Sequence, residues 1–252
     1  MYDAMGFRFF DLPAELRLDI LSRLLLSKYG IILHNHTLFE PNVVNQVSIL
    51  NIFLVSVQMY QEASAIFYSQ NCFTINAQSH RLPIHLTKPG GFLSEQGQDA
   101  RRRVHTLALY LTRVGGEFED ILRPAIADMI LSGSLRRLKV CLGQPTSHPS
   151  RSSGSDVVTR PPFKALLELL GDPDLDNVEL LVWKVHWSTF CPFHQEPKVA
   201  RPSKPLVETV DDLGLATARG GNSEWIELDW QLMLNVLGTG HRIVKIDERD
   251  LN

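Results

Sequence analysis

Two patches of this sequence hold the residue types that bind metals. "HWSTFCPFH" brings His186, Cys191 and His194 close together, and "HNH" supplies His34 and His36. A structural zinc ion asks for four ligands at defined spacing, commonly as two pairs. One Cys-x-x-His pair is present without a clear second. The pattern therefore favours Cys191 packing as a small hydrophobe, and no metal or other cofactor is expected. A third patch, "GDPDLDNVE", gathers Asp172, Asp174, Asp176 and Glu179. Two carboxylates could share general acid and base work, but this run closes one apolar stripe and opens the next, where Asp and Pro make a turn. The sequence has no Gly-x-Ser-x-Gly elbow, no phosphate-binding glycine loop and no His-Glu-x-x-His helix. It reads as a non-enzyme. A cryptic enzyme centred on residues 186–201 is the alternative that a pocket of perturbed ionisable groups would revive.

Recognition is the other chemistry the residues can do. "VHTLALYL" from Val104, "LRRLKVCL" from Leu135 and "VELLVWKV" from Val178 share one pattern, with apolar residues at the first, fourth, sixth and eighth places. The last three of each set alternate, so Leu107, Leu109 and Leu111, then Leu138, Val140 and Leu142, then Leu181, Trp183 and Val185 are expected on one face of three strands. Tyr110, Arg137, Lys139, Lys184 and His186 then fall on the opposite face. They would form a mildly basic groove suited to an acidic or phosphorylated segment of a substrate protein. Leu180 and Val182 share that face in this reading and point to some cover over it. The run Arg101 to Arg103 reads as a solvated strand entry.

Those strands need elements to hold them. Phe118, Ile121, Leu122, Ala125, Ile126, Met129 and Ile130 make a helical stripe that starts or kinks at Pro124. Phe163, Leu166, Leu167, Leu169 and Leu170 make another, stopped by Gly171. A third helix is expected from about Ser223 to Leu237, before a last strand near "HRIVKI". Strand and helix in alternation imply an α/β fold (or α+β), with parallel strands and right-handed crossovers. The expectation is a short, curved, mostly parallel sheet of about four or five strands, leucine-rich-like in its repetition. Residues 143–162 and 188–222 read as long loops rich in Ser, Pro and Gly.

The N-terminal part is helical in pattern. "FFDLPAELRLDILSRLL" runs from Phe9 to Leu25, with Pro13 at its start, Glu15 in the first turn, and Leu16, Ile20 and Leu24 four residues apart. Residues 30–43 break that pattern and read as a loop, with a short hairpin around His34 to His36. A second helical stretch follows from about Asn45 to Tyr68, with a change of phase near Ser56. "QNCFTINA" then reads as a strand with Phe73 and Ile75 on one face.

Bulk composition sets limits. The chain has 252 residues, 44% hydrophobic and 21% charged, with a formal charge of -3. No basic field argues for nucleic acid, and no apolar run is long enough to cross a membrane. Three scattered cysteines, Cys72, Cys141 and Cys191, fit a reducing compartment. The first residues lack a secretory pattern, so the expected site is cytoplasmic or nuclear.

"FFDLPAELRLDILSRLL" resembles the first helix of the F-box motif. "NIFLVSVQMYQEASAIFYSQNCFTI" is similar to a segment common in fungal proteins that begin with an F-box-like element and continue into a leucine-rich-like or uncharacterised α/β region. The resemblance covers residues 7–77. It implies an F-box-like element over 1–70 and an α/β region over 71–252. It also implies two partners: the linker subunit of a cullin-type ubiquitin ligase at the first element and an unidentified substrate protein at the second. By position, Leu12, Pro13, Glu15, Leu16, Ile20, Leu21 and Leu24 match the first helix of the motif, and Leu54 and Val55 the start of its later helix. A second role stays open, in which the same helices only cap the following sheet, whose end strand would otherwise present a bare edge and face.

Overall fold

Leucines repeat along residues 12–26 on two sides of a helix, and the two sides meet different fates. The computed structural model describes residues 8–33, 49–77, 82–143, 160–183, 215–217, 225–231 and 233–234. Helix α1 covers Ala14–Leu25, directly after Pro13, whose carbonyl accepts from the amides of Leu16 and Arg17. Leu21 and Leu25 turn inward and are buried. The chain then turns at Gly30, which holds φ at 75° and lies so close to the next strand that a Cβ would stand 2.7 Å from the Cys72 carbonyl. Both features require glycine. Ile31–Ile32 follow as strand β1, paired in parallel with Phe73 and Thr74. The broken helical pattern over residues 30–43 predicts a loop here; two residues are too few for an alternation to register. The expected hairpin at His34 to His36 lies outside the described residues.

The phase change at Ser56 is a helix boundary. A 3-10 turn over Ile49–Leu54 ends there, and α2 begins at Val57 and runs to Gln70. The Ser56 hydroxyl accepts from the Met59 amide at 3.1 Å, which supplies one of the partners that the first turn of a helix lacks. Helix α2 is the crossover from β1 to β2, Cys72–Ala77. Two short helices, α3 (Ile84–Thr87) and α4 (Gln98–Arg101), lead into β3, Thr106–Leu111. Pro124 lies in the first turn of α5, Arg123–Leu131, and a single π turn over Phe118–Leu122 precedes it. The missing proline N–H costs nothing at that position. After β4, Arg137–Leu142, helix α6 occupies Pro161–Leu170 and leads to β5, Asn177–Trp183. Its first two residues come from the stretch read as the 143–162 loop.

The fold is mixed α/β. Among the described residues the sheet has seven strands in the order β1-β2-β3-β4-β5-β7-β6, where β6 is Leu215–Thr217 and β7 is Trp225–Leu228. β1 to β5 are parallel and follow sequence order; β7 runs antiparallel to both β5 and β6. Sequential parallel strands joined by crossovers of one hand place their helices on one face. The burial agrees: Phe73, Ile75, Leu107, Leu109, Leu138, Val140, Leu180 and Val182 join the helical residues Phe67, Ile126, Met129, Phe163 and Leu167 in a single core.

Four expectations change here. The strand count exceeds four or five. Residues 225–228 form a strand rather than the start of a helix, and helical geometry begins only at Trp230. Leu215–Thr217, expected in a loop, form β6. The third repeat is also shifted by one residue. Leu180 pairs with Val140 and Val182 with Leu142, so these two face the core, and Leu181 and Trp183 face the other way. Leu180 to Trp183 are apolar at every position, so the period of two had no phase to read there. Val185 and the expected "HRIVKI" strand lie outside the described residues.

Candidate functional site

The first candidate surface is the outer side of α1. Leu16, Ile20 and Leu24 are 52%, 36% and 50% exposed. Successive steps of four residues advance only about 40° around a helix, so the three share one face. Pro13 and Glu15 are exposed at its start and Leu12 is half-buried. Leu21 belongs to the other side: it is 1% exposed and part of the core, so it cannot meet a partner. That corrects its place among the expected docking residues. The correction follows from helical geometry, because Leu21 lies about 100° from Ile20. Leu54 and Val55 are exposed at the entry to α2, as is Val57.

Two polar clusters fix α1 on α2. Arg17 donates to both carboxylate oxygens of Glu62, at 3.0 and 2.7 Å, and to the Leu12 carbonyl at 2.6 Å. Gln58 adds a bond to Glu62 at 3.0 Å. The hydrogen bond from Arg17 is the main reason the Glu62 carboxyl sits below its ordinary range. At the other end, the amide of buried Asn71 donates to the carbonyls of Leu25 and Phe67, both at 3.0 Å, and accepts from the Ser27 amide at 2.8 Å. Starts meet starts and ends meet ends, so α1 and α2 run side by side in the same direction. Leu54 and Val55 precede the end of α2 that holds Arg17. A strand of the sheet, β1, is interposed between the two helices.

The second candidate surface is the sheet face away from the helices. Register sets Ala108, Lys139 and Glu179 in one row and Tyr110, Cys141, Leu181 and Glu227 in the next. Trp183 pairs with Trp225, ring centroids 6.0 Å apart, and the Trp225 and Tyr110 rings lie edge to face with centroids 6.2 Å apart. Burial pushes the Cys141 thiol up to about 11. Lys139 Nζ lies 2.9 Å from Glu179. Burial draws the Lys139 ammonium down, but the bond and charge of Glu179 more than reverse this and it ends raised.

Among the described residues this face carries Glu179 and Glu227 beside Lys139 and Arg137, with an aromatic corner, where the sequence predicts a mildly basic groove. Arg137 is its exposed cation and has no ion pair among the described residues. Lys184 and His186 lie outside the described residues. The one-residue shift of the third repeat had hidden Glu179, Leu181 and Trp183 from this face, and Trp225 was hidden by the helix expected there.

Among the described residues no group of three or more His, Cys, Asp or Glu could hold a metal. Cys191, His194, His34 and His36 lie outside them, as do residues 186–201. Asp172 Oδ1 accepts from the Asp174 amide at 3.0 Å, a local turn bond. Among the described residues no helix is long and apolar enough to cross a membrane. Comparison with models of known protein families, with curated proteins and with solved structures finds no match to this chain.

Proposed function

We propose that this chain is a non-enzymatic adaptor. Its F-box-like N-terminal helices dock on the linker subunit of a cullin-type ubiquitin ligase, and its leucine-rich-like α/β region presents a substrate protein, in the cytoplasm or nucleus. One observation carries the reading: Leu16, Ile20 and Leu24 stand on one face of α1, each at least a third uncovered, although the same helix buries Leu21 and Leu25 in the core. A helix that served only as a cap would gain by placing polar residues on its outer side. The motif resemblance over residues 7–77 names the partner.

The capping role has its own support, because β1 and α2 are built into the sheet and Asn71 ties α1 to them. The same helices serve both ends: the inner side holds the fold and the outer side meets the linker.

Co-expression with the linker subunit tests the proposal. Wild type should co-purify with it as a complex. Leu16→Asp combined with Ile20→Asp should abolish the complex and leave the circular dichroism spectrum unchanged. A wild type that stays folded and never retains the linker sinks the adaptor reading and leaves the cap alone.

A further inference from the structure

A cleft of about 770 Å³ opens between the segment around Ser94 and the start of α5, away from both surfaces above. That volume suits a small ligand or the end of a peptide. Its most deeply set polar group is Arg101, which is 5% exposed. The run Arg101 to Arg103 predicts a solvated strand entry; the burial of Arg101 corrects that for this residue. Its Nη1 donates to the carbonyls of Phe92 and Ser94, both at 2.6 Å, which fixes the plane of the guanidinium. Its Nε is buried without a partner. Arg101 has no ion pair among the described residues. Asp128, whose charge it feels, is already held by Arg102 at 2.6 Å and by Gln98 at 3.1 Å. A buried cation without a matched anion is costly, and an incoming carboxylate would answer it.

The rim carries the opposite sign. Glu95 and Asp120 line the cleft, are exposed, and make no ion pair among the described residues. Leu93, Ile121 and Pro124 supply apolar wall between floor and rim. A purely anionic ligand would pass two unanswered carboxylates on its way in. A purely cationic one would leave Arg101 as it is. We propose that the cleft binds a basic amino-acid unit with a free carboxylate, either lysine or arginine itself or the C-terminal Lys or Arg of a protein. Its carboxylate meets Nη2 of Arg101, the nitrogen that the two carbonyls leave open, its aliphatic stem lies along the apolar wall, and its side-chain cation lies between Glu95 and Asp120. The site is on different segments from α1, so it and the docking reading can each fail alone.

The probe is a fluorescein-labelled Gly-Gly-Lys peptide with a free C-terminus, titrated into the full chain by anisotropy. Binding should weaken at least tenfold when the C-terminus is an amide, and as much when Lys is replaced by Glu. Glu95→Gln with Asp120→Asn should also weaken the peptide at least tenfold without moving the urea midpoint. Arg101→Met should abolish binding; if that variant does not fold, the amide peptide carries the same question. Free L-lysine that competes at the peptide's own concentration marks the amino acid as the ligand, and failure to compete marks a chain end. No binding at millimolar probe, equal binding of the amide or Glu peptide, or indifference to the rim double variant overturns the proposal.

Discussion

Asn71 supports a quantitative prediction, because one buried side chain ties off three backbone groups. Its amide donates to the last turn of α1 through Leu25 and to that of α2 through Phe67, and its oxygen accepts from Ser27. The residue is 1% exposed. Alanine leaves both carbonyls without this donor; the exposed Ser27 recovers a water more readily. At ~1 kcal/mol for each net bond, with a penalty for acceptors left dry, Asn71→Ala should cost about 2–3 kcal/mol. That is a large fraction of the ~5–15 kcal/mol that holds a typical domain together. Urea unfolding followed by tryptophan fluorescence and circular dichroism should show a midpoint lowered by roughly 1 M, for m of ~2–3 kcal/mol/M, with m unchanged. Asn71→Asp keeps the acceptor for Ser27 but aims a carboxylate at two carbonyls, which raises its folded-state pKa. The variant should therefore be closest to wild type in acid and fall further behind as the pH rises through that value. A loss below about 0.5 kcal/mol for Asn71→Ala, or an Asp variant whose deficit ignores pH, would refute the claim that this amide joins the helix ends.

Leu180 and Leu181 test the register of the third repeat: Leu180→Ala should cost ~2–5 kcal/mol and Leu181→Ala under ~1 kcal/mol, and the reverse order would restore the other phase. Glu62 and Asp128 both have carboxyls lowered chiefly by an arginine hydrogen bond. Their contribution is thus present above the unfolded values near ~4 and lost as acid protonates the folded state. Glu62→Gln should flatten the acid limb of the stability profile, measured as urea midpoint against pH, and an unaltered limb would contradict the assignment. Cys141, buried with its thiol near 11, should resist alkylation at pH 8 in the native chain while half-buried Cys72 reacts before it; mass mapping that finds Cys141 labelled before Cys72 would contradict its burial.

Much of this fold was legible where one physical signal stood alone. β3 and β4 alternate cleanly, and Ser56 marked a helix start because its hydroxyl is the cap. Pro124 located the first turn of α5 by the N–H it lacks. Legibility failed where two signals overlapped. Leu180 to Trp183 satisfy either strand phase, and the apolar residues after Trp225 satisfy both a helix and a strand, so tertiary pairing decided them. The site divides in the same way. The spacing of Leu16, Ile20 and Leu24 was visible, but which side of α1 the core would take depends on α2. Arg101, Arg102 and Arg103 look alike in sequence, yet one is buried against carbonyls, one grips Asp128 and one lies 5.6 Å from the Tyr60 ring. Their partners are remote in the chain, and no local pattern encodes them.

Titration calorimetry with purified linker subunit asks whether the outer side of α1 is a docking face. Binding to wild type should be one to one. Leu24→Asp, at a position half exposed in the free chain, should weaken it at least tenfold, equivalent to ~1.4 kcal/mol, with an unchanged urea midpoint. Equal affinity for wild type and Leu24→Asp, or no heat of binding to a folded wild type, would contradict a docking face there.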